Sequence, residues 1–245
     1  MGVSVDMSAS HSVSASLPRL LRQRLSALML ATSLGLAAPV AMAQSLPPPD
    51  IGGRSWFLFD VSTNTVLYSQ APDERVEPAS LTKLMTAYVV FEALRDGTLN
   101  MDTRPPVSQA AYKAIGSRMF VDPRKPATVD ELLHGLIIQS GNDAAIILAE
   151  AVSGSEEAFA QQMNAEARRI GMKNSHFVNA SGLPAPEHHS TARDMALLAT
   201  RIIKEFPDYY RMYSEKEYTF NGVRQPNRNR LLYIDPSVDG MKTGH

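Results

Sequence analysis

The 245-residue sequence contains no cysteine. That absence excludes a disulfide framework, a thiolate nucleophile, an iron–sulfur cluster and any cysteine-ligated zinc site. Chemistry in this chain must therefore use oxygen or nitrogen nucleophiles. An excess of one charge is missing as well: 24 Lys+Arg stand against 25 Asp+Glu, a formal net charge of −1. The basic residues form no stripe of the kind a phosphate backbone requires, which speaks against a nucleic-acid partner. The apolar run that begins at Leu25 is broken by Pro39, well short of the roughly 20 residues a spanning helix needs. What is present is a chain 44% hydrophobic and 20% charged, with enough apolar surface to bury a core and too much for a disordered polymer.

The first 43 residues differ from the rest. Arg19, Arg22 and Arg24 precede the uncharged run from Leu25, and Ala41-Met42-Ala43 offers the small-x-small pattern of a signal-peptidase site. Residues 1–43 are therefore expected to be a secretory signal, preceded by a Ser-rich extension, Met1 to Pro18, that resembles no part of such a signal. Residues 44–245 remain as a single domain of about 200 residues.

The mature region opens on a Pro-rich leader, Ser45 to Asp50. Trp56 to Phe59 and Val66 to Tyr68 flank a polar stretch and predict two strands joined by a turn. Ser80 to Leu94 is apolar on nearly all faces and ends at Asp96-Gly97, the pattern of a helix buried at the centre of a domain. Thr128-Val129-Asp130-Glu131 fits a capping box and predicts a helix to Gln139. Further helices are expected over Asn142 to Val152, over Ser155 to Ile170 closed by Gly171, and from Thr191 with Asp194 through Lys204. Tyr218-Thr219-Phe220 followed by Asn221-Gly222 is a hairpin signal, because that pair tolerates the positive φ angles of a type I′ turn. Val238 to Met241 reads as the approach of a last strand. This order predicts an α/β (α+β) fold, with a helical cluster packed on an antiparallel sheet contributed by both ends of the chain.

Three short motifs carry chemistry. Ser80-Leu81-Thr82-Lys83 places a hydroxyl and an amine about one helical turn apart at a helix N-terminus, where a developing negative charge is favoured. Lys83 serves as a base only if burial and a second cation lower its pKa. Ser140-Gly141-Asn142 lies at a junction between helices; taken alone, Ser140 or Asn142 is more simply an N-cap. Lys242-Thr243-Gly244 supplies a charge and a donor for an anion, beside a glycine that admits close backbone approach; taken alone it is a frayed chain end. Of the six histidines, only His188 and His189 are close in sequence, and adjacent side chains on an extended chain face opposite ways, which does not suit metal chelation. His189 is expected to brace the helix start at Ser190 to Asp194, and His134 to be a satisfied core histidine.

Ser-x-x-Lys, Ser-x-Asn and Lys-Thr-Gly in this order resemble the signature of penicillin-recognising serine acyltransferases and β-lactamases. Within that group the chain is similar to the low-molecular-mass D-alanyl-D-alanine carboxypeptidases, through Pro78 to Tyr88, Gln139 to Ala145, Gly182-Leu183, His189 to Ala196 and Asp239 to His245. The resemblance implies a β-lactamase/transpeptidase-like fold with no cofactor and no metal. It implies Ser80 as the acyl-ester nucleophile, Lys83 as its base and Ser140 as a proton relay to the leaving D-alanine. Asn142 would hold the substrate amide, and Lys242, Thr243 and Gly244 would bind its carboxylate end. Lys242 would also keep Lys83 neutral. The backbone N–H groups of Ser80 and His245 would form the oxyanion hole. The implied partners are peptidoglycan stem peptides ending in D-Ala-D-Ala and β-lactam antibiotics, met in the periplasm during cell-wall synthesis and cell-shape maintenance.

In such enzymes the Lys-Thr-Gly strand is followed by a neighbouring strand, a carboxylate-binding arginine, a closing helix and a membrane anchor. The sequence ends at His245, so domain 44–245 is expected to be incomplete at its C-terminus and any anchor to be absent from this chain. D,D-endopeptidase activity is an alternative, as is a β-lactamase, although Gly141 stands where class A enzymes have Ser-Asp-Asn. A non-catalytic penicillin-binding protein of the periplasm is a third.

Overall fold

The computed structural model describes Pro47 and residues 50–244; the secretory signal read over residues 1–43 and the backbone of His245 lie outside the described residues. Strands β1 (Trp56–Asp60) and β2 (Thr65–Gln70) pair antiparallel as the first hairpin. A 3₁₀ turn over Ala79–Leu81 then leads into α1 (Thr82–Arg95). Helices α2 (Gln109–Tyr112), α3 (Val129–His134), α4 (Asn142–Ser153), α5 (Glu156–Ile170), α6 (Ala192–Glu205) and α7 (Pro207–Tyr210) follow. Strands β3 (Glu217–Phe220) and β4 (Val223–Pro226) form the second hairpin, and α8 (Leu231–Ile234) comes last. Among the described residues no helix is long and apolar enough to cross a membrane.

Helix α1 is the axis of the core. It has neither glycine nor proline, and every residue from Thr82 to Ala93 is buried, as its all-round apolar pattern predicts. It packs on α4, α5 and α6, while α6 also carries β1. Phe91 stacks on Tyr209 at 4.8 Å, and Tyr88 meets Phe206 edge-on at 5.4 Å. Each such fully buried side chain stabilises the fold by roughly 1.5–3 kcal/mol through the apolar surface removed from water. Arg169 of α5 donates to both Tyr88 Oη at 2.7 Å and Glu92 Oε1 at 2.5 Å, and Tyr88 in turn donates to Glu205 of α6. Three helices are thus tied at their polar edge.

The local signals are realised closely. Thr128 and Glu131 form the capping box, with bonds of 3.1 and 2.7 Å. Ser155 caps α5, and Gly171 closes it at φ 96°. Asn221 and Gly222 turn the second hairpin at φ 49° and 79°.

Three expectations are corrected. The hairpins do not join one sheet: among the described residues β1–β2 and β3–β4 are separate two-stranded sheets. Among the described residues the stretch Val238 to Met241 pairs with no strand; side chains hold it instead. Asn229 donates to Gly240 O at 2.8 Å and Tyr210 Oη to Asp239 at 2.8 Å. The helix start at Ala192 is capped by Thr191, whose hydroxyl accepts from Asp194 N at 3.1 Å, rather than braced by His189. His189 lacks a reach to that turn: its ring bonds Glu187 O and its backbone pairs with His176. His134 lies partly buried, stacked on Tyr218 and bonded to Asp130 O at 2.8 Å.

Candidate active site

Ser80 sits in the 3₁₀ turn one turn ahead of Lys83. The residue before it, Ala79, is held at φ 46°, a left-handed conformation that costs a side-chain-bearing residue energy. Gly182 explains how that strain is held. A Cβ on Gly182 would lie 1.8 Å from Ala79 O, so the 180–182 segment presses directly on the turn that presents Ser80. The same segment accepts from Thr86 Oγ1 at Ala180 O, 2.6 Å.

Lys83 is fully buried, and its amine has three neighbours. Nζ lies 2.7 Å from Asn142 Oδ1, 2.5 Å from Ser181 O and 3.4 Å from Ser80 Oγ. Burial, chiefly, and then the charges of Lys242 and Arg228 push its pKa down to about 7, against a smaller opposing pull from Asp143. A neutral amine has two N–H donors and one lone pair. Asn142 Oδ1 and Ser181 O are acceptors only and take both donors, which leaves the lone pair for the hydroxyl of Ser80. The 3.4 Å separation is loose, as catalytic hydrogen bonds often are before substrate binds.

Ser140 stands at φ 64°, at the end of the π-helical turn Gly135–Gln139, and is not the cap of α4, where Gly141 takes that place. Its hydroxyl is buried and has no hydrogen-bond partner among the described residues. It lines a cavity of about 330 Å³ together with Ser80, Arg228, Thr243 and Gly244. An unpaired buried hydroxyl costs about 1–3 kcal/mol, so its place at a cavity wall marks it for a partner that enters the cavity.

Asn142 is more occupied than its expected role suggests. Its N–H donates to Ser117 O, its Nδ2 to Ile115 O, both at 2.7 Å, and its Oδ1 accepts from Lys83. Lys242 is partly buried and donates to Thr243 O at 2.8 Å; burial and then the charge of Arg228 lower its pKa to about 7. Ser80, Ser140, Thr243 and Gly244 thus line one cavity, Lys83 and Asn142 stand behind Ser80, and Lys242 adjoins Thr243.

Three further residues at the site are announced by none of the three motifs in the sequence. Arg228 lines the cavity and donates to Ser117 Oγ at 2.7 Å. Its signal was Asn227-Arg228-Asn229, two buried amides flanking an exposed cation: Asn227 holds Glu215 O at 2.8 Å and Asn229 holds Gly240 O. Ser181 contributes a carbonyl, which no side-chain pattern announces. His188 accepts from Val178 N at Nδ1, so Nε2 carries the proton and donates to Thr82 Oγ1 at 2.8 Å, bracing the start of α1. Burial, first, and two neighbouring histidines lower its pKa to about 4 and keep it neutral. Among the described residues no His, Asp or Glu cluster could hold a metal ion.

The profile of a family described as D-alanyl-D-alanine carboxypeptidase matches residues 41–245. D-alanyl-D-alanine carboxypeptidase DacC of Escherichia coli strain K12 is 45% identical over 221 residues, covering 86% of this chain and 55% of that protein. The crystal structure of penicillin binding protein 5 from Haemophilus influenzae aligns with a TM-score of 0.79 at 41% identity, over 82% of this chain and 59% of that one. Penicillin-Binding Protein D2 from Listeria monocytogenes, in its ampicillin-bound form, aligns with a TM-score of 0.72 at 29% identity, over 82% of each chain. The chain spans about half the length of the curated relatives it matches. Its fold is that of the penicillin-binding proteins, and by profile, identity and shared architecture the chain belongs to the D-alanyl-D-alanine carboxypeptidase family.

Proposed function

We propose that the protein is a serine-type D-Ala-D-Ala carboxypeptidase that removes the terminal D-alanine of peptidoglycan stem peptides and is acylated by penicillin. The observation that carries this reading is the placement of the buried Lys83 amine, 2.7 Å from Asn142 Oδ1, 2.5 Å from Ser181 O and 3.4 Å from Ser80 Oγ, so that in its neutral form two N–H groups meet acceptors and a lone pair remains for Ser80. Lys83 takes the Ser80 proton as Oγ bonds to the carbonyl carbon between the two D-alanines. The C–N bond then breaks, and the leaving amine receives a proton through Ser140. Water hydrolyses the resulting ester and frees Ser80. Lys242, Thr243 and Gly244 bind the terminal carboxylate, with Arg228 adding charge to the same cavity. The N–H groups of Ser80 and His245 hold the oxyanion; losing one such donor typically costs about 10²–10³ in rate. Residues 1–43 direct export, and domain 44–245 acts in the periplasm, in peptidoglycan biosynthesis and cell-shape maintenance.

The test is D-alanine release from a D-Ala-D-Ala peptide, measured beside intact-mass spectrometry after incubation with penicillin. The reading expects D-alanine release, and one penicillin adduct per chain that disappears in Ser80→Ala. Faster turnover of penicillin than of the peptide would instead make this a β-lactamase, and cleavage of cross-linked dimers without D-alanine release would make it an endopeptidase.

A further inference from the structure

Asp143, the second residue of α4, has a buried carboxylate with four backbone partners. Oδ1 accepts from Met119 N at 3.0 Å and Ala144 N at 3.0 Å, and Oδ2 from Phe120 N at 2.8 Å and Val121 N at 3.3 Å. An acid in the first turn of a helix is commonly there for the helix dipole alone. Here three of the four donors belong to a different segment, more than 20 residues earlier in the chain.

That segment, residues 115–121, is strained at one end and packed flush on the site at the other. Phe120 stands at φ 64° although it bears a large side chain. Gly116 stands at φ 78°, and a Cβ there would lie 2.9 Å from Asn142 Nδ2. Ile115 O accepts from Asn142 Nδ2 and Ser117 O from the Asn142 backbone N–H, while Ser117 Oγ accepts from Arg228 and donates to Gln139 O, next to Ser140. Gly141 leaves the room this needs, since a Cβ on it would fall 2.9 Å from Asp143 Oδ1 and 3.3 Å from Met119 N.

We infer that Asp143 is a positioning residue for acylation: its carboxylate fixes the 115–121 segment, and that segment holds Asn142 beside Lys83 and Arg228 beside Ser80. The inference rests on the reading of Ser80 as nucleophile and Lys83 as base. Asp143 touches neither substrate nor the reacting atoms in this scheme. It acts through the geometry of two side chains that do. The cations facing Lys83 are Lys242 and Arg228, and Asp143 is the anion opposing them, so removing its charge also alters proton affinity at Lys83.

The experiment compares penicillin acylation rates of the wild-type protein and Asp143→Asn by intact-mass spectrometry across pH 5 to 10, beside thermal unfolding. In Asp143→Asn the amide places an N–H against two backbone N–H groups. The expected result is acylation slowed about 10-fold or more, on the scale of site misplacement, with the acid limb of the pH profile moved to lower pH. General loosening would let water reach Lys83 and move that limb up or leave it. A wild-type-like rate with an unmoved limb overturns the inference and leaves the reading of Ser80 standing. Slower acylation with an unmoved or raised limb overturns it too. A wild-type protein that forms no adduct overturns the underlying reading and the inference with it. Where Asp143→Asn does not fold, Ser117→Ala decides: it keeps the carboxylate and cuts the tie from the segment to Arg228. A severalfold slower acylation at unchanged unfolding temperature supports the inference, and an unchanged rate overturns it.

Discussion

The Lys83 amine donates to Asn142 Oδ1 at 2.7 Å, joining the first turn of α1 to the first residue of α4 across 59 residues of chain. A neutral acceptor at that place orders the amine without holding a proton on it. Asn142→Asp puts a negative charge in the same position and should raise the Lys83 pKa. From a pKa of about 7, the first unit of upward shift leaves about fivefold less neutral amine at pH 7 and each further unit about tenfold less. Penicillin acylation of Asn142→Asp should therefore fall at least about fivefold at pH 7 and recover substantially at pH 9. An equal loss at both pH values would mean that Asn142 matters through substrate contact instead.

Lys83→Arg preserves charge and removes the base, because a guanidinium does not give up its proton in this range. Adduct formation should fall to the level of Ser80→Ala in intact-mass measurements, with the fold retained by circular dichroism. Acylation by Lys83→Arg within tenfold of wild type would show that another group takes the Ser80 proton.

Gly182→Ala tests the pressure of the 180–182 segment on the nucleophile turn. The position has φ 85°, and the new Cβ would meet Ala79 O at 1.8 Å, a backbone atom that must move. A loss of at least about 2 kcal/mol in denaturant unfolding is expected from overpacking of this kind. Acylation at Ser80 should drop with it, since Ala79 immediately precedes Ser80 in the chain. Thr128→Ala is the local control. It removes one capping bond and should cost about 1 kcal/mol with acylation unchanged.

Stability should rise with pH above neutrality. Burial first, then neighbouring cations, depress Lys83 and Lys242 from 10.5 to about 7. Between those values the unfolded chain binds protons that the folded one has lost, so folding is favoured progressively as pH rises. Each lysine contributes up to about 1.4 kcal/mol per pH unit. Urea midpoints measured from pH 7 to 9 should climb, and a double variant Lys83→Met, Lys242→Met should flatten the climb. At the acid side His188, held down to about 4 from 6.5, acts in the opposite pH range. Its contribution is present above 6.5 and disappears as pH falls toward 4, so His188→Gln should reduce the loss of stability over that interval.

The elements that were legible in the sequence are those whose cause is local. The capping box at Thr128 and Glu131, the Asn221-Gly222 turn, the Gly171 stop and the all-round burial of α1 each follow from residues a few positions apart. The side chains proposed to be catalytic were legible because three short motifs stand in a known order. The environment that makes them reactive was not. Lys83 finds its acceptors 59 and 98 residues away, and one of them, Ser181, is a backbone carbonyl. Arg228 reaches the cavity because two buried asparagines fix its turn, and Asp143 matters through backbone donors on a distant segment. The expectation of a single sheet failed for the same reason: alternation predicts strands, but pairing between hairpins depends on tertiary contacts.

The measurement that bears most directly on the account is the pH dependence of wild-type Ser80 acylation by penicillin, followed by intact mass at subsaturating antibiotic. A neutral Lys83 acting as base predicts a rate that rises with pH and reaches half its plateau near 7, with no adduct at any pH in Ser80→Ala. A rate that stays flat through pH 7, or that keeps rising toward the ordinary lysine value of 10.5, would contradict it.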